Sequence, residues 1–159
     1  MVEQLGLSFA GVRAPREIMI SLHEKWHSAI LAGEKKFEFR RTFINEPCTA
    51  YVYVSGRIRG VAAVAELAAP IAGSPAEVVE RVSSGATAES LRAYYGQRTR
   101  VYAIPISRYE LIPVVSLDDL RRAQPRFQPP QSYIFIDRNP TVMTLLHAVK
   151  SRSGPTQKR

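Results

Sequence analysis

Residues 34–41 hold the densest chemistry in the chain: Glu34, Lys35, Lys36, Phe37, Glu38, Phe39, Arg40 and Arg41 run on from Gly33 without a break. Side chains of an extended segment alternate between its two faces. Lys36, Glu38 and Arg40 therefore share one face, and Phe37, Phe39 and Arg41 the other. The aromatic face is expected to pack into a core. The charged face is either a solvated surface of cross-strand pairs or, at the mouth of a small barrel, a receptor for a base and its phosphate.

Other chemistry-bearing motifs are weaker. His23-Glu24-Lys25-Trp26-His27 is a literal H-E-x-x-H, which on a helix could grip zinc and activate a water. Its helix spans only about ten residues, the following segments read as strands, and the remaining histidine, His147, lies in a terminal helix. Glu24 is also accounted for as half of a capping box. Cys48 has no second cysteine, and Glu46 and Pro47 beside it offer nothing to stabilise a thiolate, so it reads as a buried or incidental thiol. Gly56 and Gly60 flank Arg-Ile-Arg but lack the lysine and the helix of a phosphate loop. No metal and no cofactor is expected.

The elements that must position these residues follow from spacing and caps. A strand over 17–21 leads to Ser21-x-x-Glu24, a capping box that opens a helix whose apolar face is Leu22, Trp26, Ala29 and Ile30; Gly33 stops it. Strands are expected over 36–41, 49–55 and 58–68, the last two joined by Ser55-Gly56-Arg57 as an antiparallel hairpin. Ser74-Pro75-Ala76-Glu77 and Thr87 open two short helices, the second ended by Gly96. A long strand covers 100–113, Ser116 caps a short basic helix, and a last strand covers 133–137. Asn139-Pro140 caps a helix with Val142, Leu145, Leu146 and Val149 on its face. About six mostly antiparallel strands with inserted helices give an α+β fold, a small β-barrel with peripheral helices. The division expected is a leader over 1–16, the barrel over 17–137, the helix over 138–150 and a basic, disordered tail over 151–159.

Composition sets the partner class. The 159 residues carry 22 Lys and Arg against 14 Asp and Glu, a net charge of +8, and 17 of the 22 cations are arginine. Such an excess suits a polyanion, because each neutralised phosphate releases counterions, and the arginine fork suits phosphates and base edges. Solubility and a GC-rich genome would inflate arginine too. No apolar run is long enough for a bilayer span, and nothing resembles a signal peptide. A soluble, cytoplasmic protein that binds nucleic acid and not membrane is the expectation.

These residues carry a family likeness. Gly33-x-Lys35-x-x-Glu38-x-Arg40 resembles the G-x-K-x-x-E-x-R signature of the ASCH family, a branch of the PUA-like β-barrels. The surroundings are similar: strand and helix before the motif, Tyr51-Val52-Tyr53-Val54-Ser55 and Arg57-Ile58-Arg59-Gly60 after it. Tyr95-Gly96 before Tyr102-Ala103-Ile104 and Pro129-Pro130-Gln131-Ser132-Tyr133 before the last strand agree as well, so the likeness covers about residues 17–137. It implies a cleft that receives RNA, DNA or a nucleobase, lined by Lys35, Glu38 and Arg40. Arg41, Tyr53, Ser55, Arg57, Gln131 and Ser132 are the expected neighbours. Some members resemble amidohydrolases acting on N4-acylated cytidine with a lysine, a threonine nucleophile and a glutamate. Lys35 matches that lysine, but Glu38 stands at the threonine's place and the glutamate has no counterpart. Other members are described as ribonucleases, for which Lys35 and Glu38 would be the acid and base. A protein-interaction or regulatory module is the remaining alternative, and the oligomeric state is left open.

Overall fold

The structure, a computed structural model, describes residues 13–82 and 85–153. Of the expected leader over 1–16 and the expected disordered tail over 151–159, residues 1–12 and 154–159 lie outside them; Arg16 already belongs to a strand, and residues 151 and 152 continue the last helix rather than a disordered tail. Strand β1 (Arg16–His23) leads into helix α1 (Glu24–Leu31), followed by β2 (Phe37–Arg40), β3 (Cys48–Ser55), β4 (Gly60–Leu67) and β5 (Ile71–Gly73). Helices α2 (Pro75–Val82) and α3 (Gly85–Tyr95) precede the long β6 (Val101–Ser116). Then come α4 (Leu117–Ala123), β7 (Tyr133–Phe135), a 3-10 turn (Ile136–Arg138) and α5 (Pro140–Arg152).

The strands form one sheet in the order β2-β6-β4-β3-β1-β7, with β5 also paired to β6. β1 runs parallel to β3; the other pairings are antiparallel. Register shifts at Val52/Tyr53, Val61/Ala63 and Glu66/Leu67 increase the local twist, and the sheet curls into a half-barrel. The α+β barrel-like architecture is thus as expected, with one more strand (β5) than expected. Among the described residues no helix is long and apolar enough to cross a membrane.

Both faces of the sheet centre are covered, so β3 is apolar on both sides, the usual pattern of a strand buried from two directions. Ile18, Ile20, Leu22, Ala50, Val52 and Val54 face the inside of the curl with Ile30 and Phe43. Met19, Tyr51 and Tyr53 face the other way, against Leu120, Ile136, Val142 and Leu146. Full burial of each such aliphatic side chain stabilises the fold by roughly 2 kcal/mol. A third cluster joins Val78, Val79, Leu91 and Tyr95 to Val101 and Ala103, with Phe37 and Phe39 half-buried against it.

Several local expectations are corrected. β1 runs two residues past Ser21, and His23 is the cap of α1: its Nδ1 accepts from the Lys25 amide at 3.1 Å. The helix face turns accordingly, so His27 and Ile30 are buried while Trp26 is 45% exposed. Thr87 lies within α3 rather than capping it. Asn139 precedes α5 without capping a backbone amide: its Oδ1 accepts from the Thr141 hydroxyl at 3.2 Å, while its Nδ2 donates to Gln124 Oε1. Gly33 at φ +75° stops α1 as expected, and the Ser116 capping box with Asp119 is present.

Candidate nucleic-acid interface

The charged row of β2 is not a solvated face. Glu38 and Arg40 are buried and point inward, whereas Phe37 and Phe39 pack only partly, under α2 and α3. Both faces are therefore packed, the charged one more completely than the aromatic one, and the reason is pairing. Arg40 Nε donates to Glu38 Oε1 at 2.9 Å, and Lys35 Nζ lies 3.4 Å from Glu38 Oε2. Each carboxylate oxygen faces its own cation, which lowers the cost of burying the charge. Lys36, the expected third member of the row, is exposed instead. Lys35, in the loop after α1, takes its place.

Arg40 is committed entirely to the fold. Beyond Glu38, its Nη1 donates to the Ser132 carbonyl at 3.2 Å and its Nη2 to the Ser21 carbonyl at 2.9 Å. β2 and β7 are the two ends of the sheet, so this side chain ties one edge to the other. Its bonds close the sheet. Ser21 Oγ, beside this seam, is buried without a hydrogen-bond partner.

Lys35 is the least buried member of the cluster by a small margin, its side chain 13% exposed against 11% for Arg40 and 9% for Glu38. Its Nζ lies 4.7 Å from the centre of the Phe39 ring and 5.3 Å from that of Trp26. Burial holds its pKa below the usual lysine value, and the Glu38 carboxylate opposes that shift. Arg41, next along the chain, is exposed, with its guanidinium 4.7 Å over the Tyr94 ring. That ring borders a shallow recess of about 440 Å³ formed by Arg41, Tyr94, Gly96, Gln97 and Arg98. The arrangement suits an anionic, partly aromatic ligand: cations for phosphate, ring faces for bases.

Other expected neighbours lie elsewhere. Tyr53 is buried in the cluster under α4 and α5, on the opposite face of the sheet, and is no part of this surface. Ser55 closes β3, its hydroxyl donating to the Leu22 carbonyl. The fully exposed Arg57 pairs with Glu24 at 3.3 Å. Arg57 and Glu24 line a separate open recess of about 560 Å³ with His23, Lys25 and Ser28. Gln131 and Ser132 are exposed on the loop before β7; only the Ser132 carbonyl touches the cluster.

The residues of the H-E-x-x-H string diverge. Glu24 lowers its pKa chiefly by accepting from the Arg57 amide, His23 caps the helix, and His27 is buried with Nδ1 2.6 Å from the Tyr109 hydroxyl. Sequence reasoning had placed Trp26 in the core, and it passed over Tyr94. Lys25 directly before the tryptophan is the available signal.

No protein-family model matches the sequence. A curated relative from Zymomonas mobilis subsp. mobilis, "ASCH domain-containing ribonuclease", is 27% identical over 130 residues, 79% of this chain and 88% of the relative. The crystal structure of ASCH from Zymomonas mobilis is 25% identical and superposes with a TM-score of 0.69 over 83% of this chain and 94% of its own. A serine-to-alanine variant of the Zymomonas mobilis protein gives a TM-score of 0.71 at 24% identity over 85% and 99%, a shared fold.

Proposed function

We propose, from the ASCH domain family assignment that these likenesses support, that this chain binds RNA, with single strands preferred, through the basic and aromatic surface around Lys35. The observation that carries this reading is the position of Lys35. It is anchored to a buried carboxylate at one side and lies against two aromatic rings at the other. A phosphate approaching that surface competes with Glu38 for the ammonium, and Arg40 keeps Glu38 neutralised while it does so. The net charge of +8 supplies the longer-range attraction. A cytoplasmic location belongs to the same reading.

Anisotropy of a labelled single-stranded RNA across a salt series tests it. Affinity is expected to fall steeply with salt, with a log–log slope of about −0.7 for each phosphate neutralised. Lys35→Ala should weaken binding and flatten that slope by one such step. A salt-independent response would sink the reading and favour a protein-interaction module.

A second reading is hydrolysis at the same surface. It is favoured by the ribonuclease name of the relative and by the lowered pKa of Lys35 beside Glu38. Glu38 has both oxygens held by cations, which makes it a positioner of Lys35 and a poor stand-in for a hydroxyl nucleophile. Mass spectrometry of a single-stranded RNA containing one N4-acetylcytidine separates the outcomes. A shortened strand produced by wild type and not by Lys35→Ala identifies a ribonuclease. Loss of the acetyl mass alone identifies an amidohydrolase, and an unchanged strand leaves binding.

A further inference from the structure

Among the described residues, six large apolar side chains are exposed, and only Trp26 and Tyr94 of these are aromatic. They come from α1 and α3, which are far apart in sequence, yet both connect to Phe39 of β2, Trp26 through the Lys35 ammonium and Tyr94 through a hydrogen bond. Trp26 lies beneath two ammonium groups, Lys25 Nζ at 4.6 Å and Lys35 Nζ at 5.3 Å from its ring centre. Lys35 is shared with Phe39 at 4.7 Å, and the Phe39 carbonyl accepts from the Tyr94 hydroxyl at 3.3 Å. Tyr94 in turn carries Arg41 at 4.7 Å. Two ring-and-cation groups thus meet, Trp26, Lys35 and Phe39 in one and Tyr94 and Arg41 in the other, joined where the Tyr94 hydroxyl reaches the Phe39 carbonyl.

From this run of rings and cations we infer that Trp26 and Tyr94 are base-stacking platforms at the two ends of a single-strand path that crosses α1, β2 and α3. The inference rests on the RNA-binding reading and adds to it which residues hold the bases. Burying either ring against the protein's own core would stabilise the fold, and neither is buried: Trp26 is 45% and Tyr94 40% exposed. An exposed ring flanked by cations offers a π-face for a base with positive charge at hand for the adjoining phosphate. Arg98, on the recess beside Tyr94, extends the positive charge past that end. Bases within a duplex are stacked on each other and cannot use such platforms, so the occupant is a single strand.

Trp26 is the sole tryptophan of the chain, so its emission reports on one end of the path alone. The full chain is titrated with an unlabelled ten-nucleotide RNA while emission is followed, and the same RNA carrying a terminal dye is followed by anisotropy. Quenching that tracks binding is expected with the single strand and not with the duplex of the same sequence. Trp26→Leu and Tyr94→Leu should each weaken binding by roughly tenfold, Trp26→Phe should keep most of the affinity, and unfolding midpoints should stay within a degree or two of wild type, roughly. Normal anisotropy with unchanged emission and a wild-type affinity for Trp26→Leu would overturn the stacking path while leaving RNA binding intact. Quenching with no effect of Tyr94→Leu would overturn the two-ended path. Absence of any anisotropy change would remove the RNA-binding reading itself, and the path with it.

Discussion

The Arg40 guanidinium donates through Nη2 to the Ser21 carbonyl at 2.9 Å, a bond from β2, one end of the curled sheet, to β1, the strand next to the other end. β7 pairs with β1 only over Ile18–Ile20, so the Ser21 carbonyl lies just past the last rung. A neighbouring strand would otherwise have to supply its donor. Arg40 supplies it from β2, holds Ser132 ahead of β7 with Nη1, and keeps its Nε for Glu38.

Arg40→Ala is therefore expected to act on stability before function. It leaves Glu38 with Lys35 alone and frees two carbonyls at the seam, a loss of about 3 kcal/mol. Arg40→Lys should recover little of this, since one ammonium cannot address three acceptors in a plane. Urea unfolding of both variants measures the loss. A wild-type midpoint for Arg40→Ala would show that the seam is held by other contacts.

The sequence carried the strands and helices around this seam because period-two and capping signals are local. It also carried the alternation of Glu38 and Arg40 with the phenylalanines. It could not say which face turns inward. The partners that let Arg40 be buried are backbone carbonyls 19 and 92 residues away, and backbone acceptors leave no mark in residue type. Trp26 was misplaced for a related reason. With the cap at His23 rather than Ser21, α1 buries His27 beside Ile30 and turns Trp26 outward, a change of about one residue's 100° round the helix.

His27 sets a pH dependence. Burial lowers its pKa from the ordinary 6.5, so the folded ring is neutral where the unfolded one has begun to protonate. Tyr109, whose pKa burial raises, keeps its proton, and its hydroxyl shares a hydrogen bond with His27 Nδ1 at 2.6 Å. Below pH 6.5 the unfolded chain binds more protons than the folded one, so this contribution is present above 6.5 and is lost as pH falls toward the folded pKa. Unfolding midpoints from pH 7.5 down to 5 should drop more for wild type than for His27→Leu. Parallel profiles would mean that His27 titrates normally.

Cys48 should be inert while the chain is folded. It is buried, and burial, the largest effect, together with Glu66 and Glu46 pushes its thiol up to about 12. At pH 7 about one part in a hundred thousand is thiolate. Iodoacetamide should label it only as fast as the chain unfolds, with denaturant accelerating the reaction. Rapid labelling of the native chain would place an opening at the start of β3 and return Cys48 to the possible nucleophiles.

Lys35 distinguishes binding from catalysis through the sign of its pH dependence. Its pKa lies below the ordinary 10.5, so on raising the pH it loses its proton before exposed lysines do. A bound phosphate needs the ammonium, so the affinity advantage of wild type over Lys35→Ala should shrink as pH rises toward 10.5. A base that takes the proton from an attacking 2′-hydroxyl needs the neutral amine, so Lys35-dependent strand cleavage should grow over the same range. Lys35→Arg stays charged throughout. It should keep much of the affinity, with no loss at high pH, and it should not support base catalysis. Anisotropy and cleavage rates are measured on wild type, Lys35→Ala and Lys35→Arg at matched ionic strength. Affinity that falls with pH in wild type but not in Lys35→Arg assigns Lys35 to phosphate binding. Cleavage that rises in wild type alone assigns it to the chemistry as well. Affinity unaffected by either substitution at every pH would remove Lys35 from the interface.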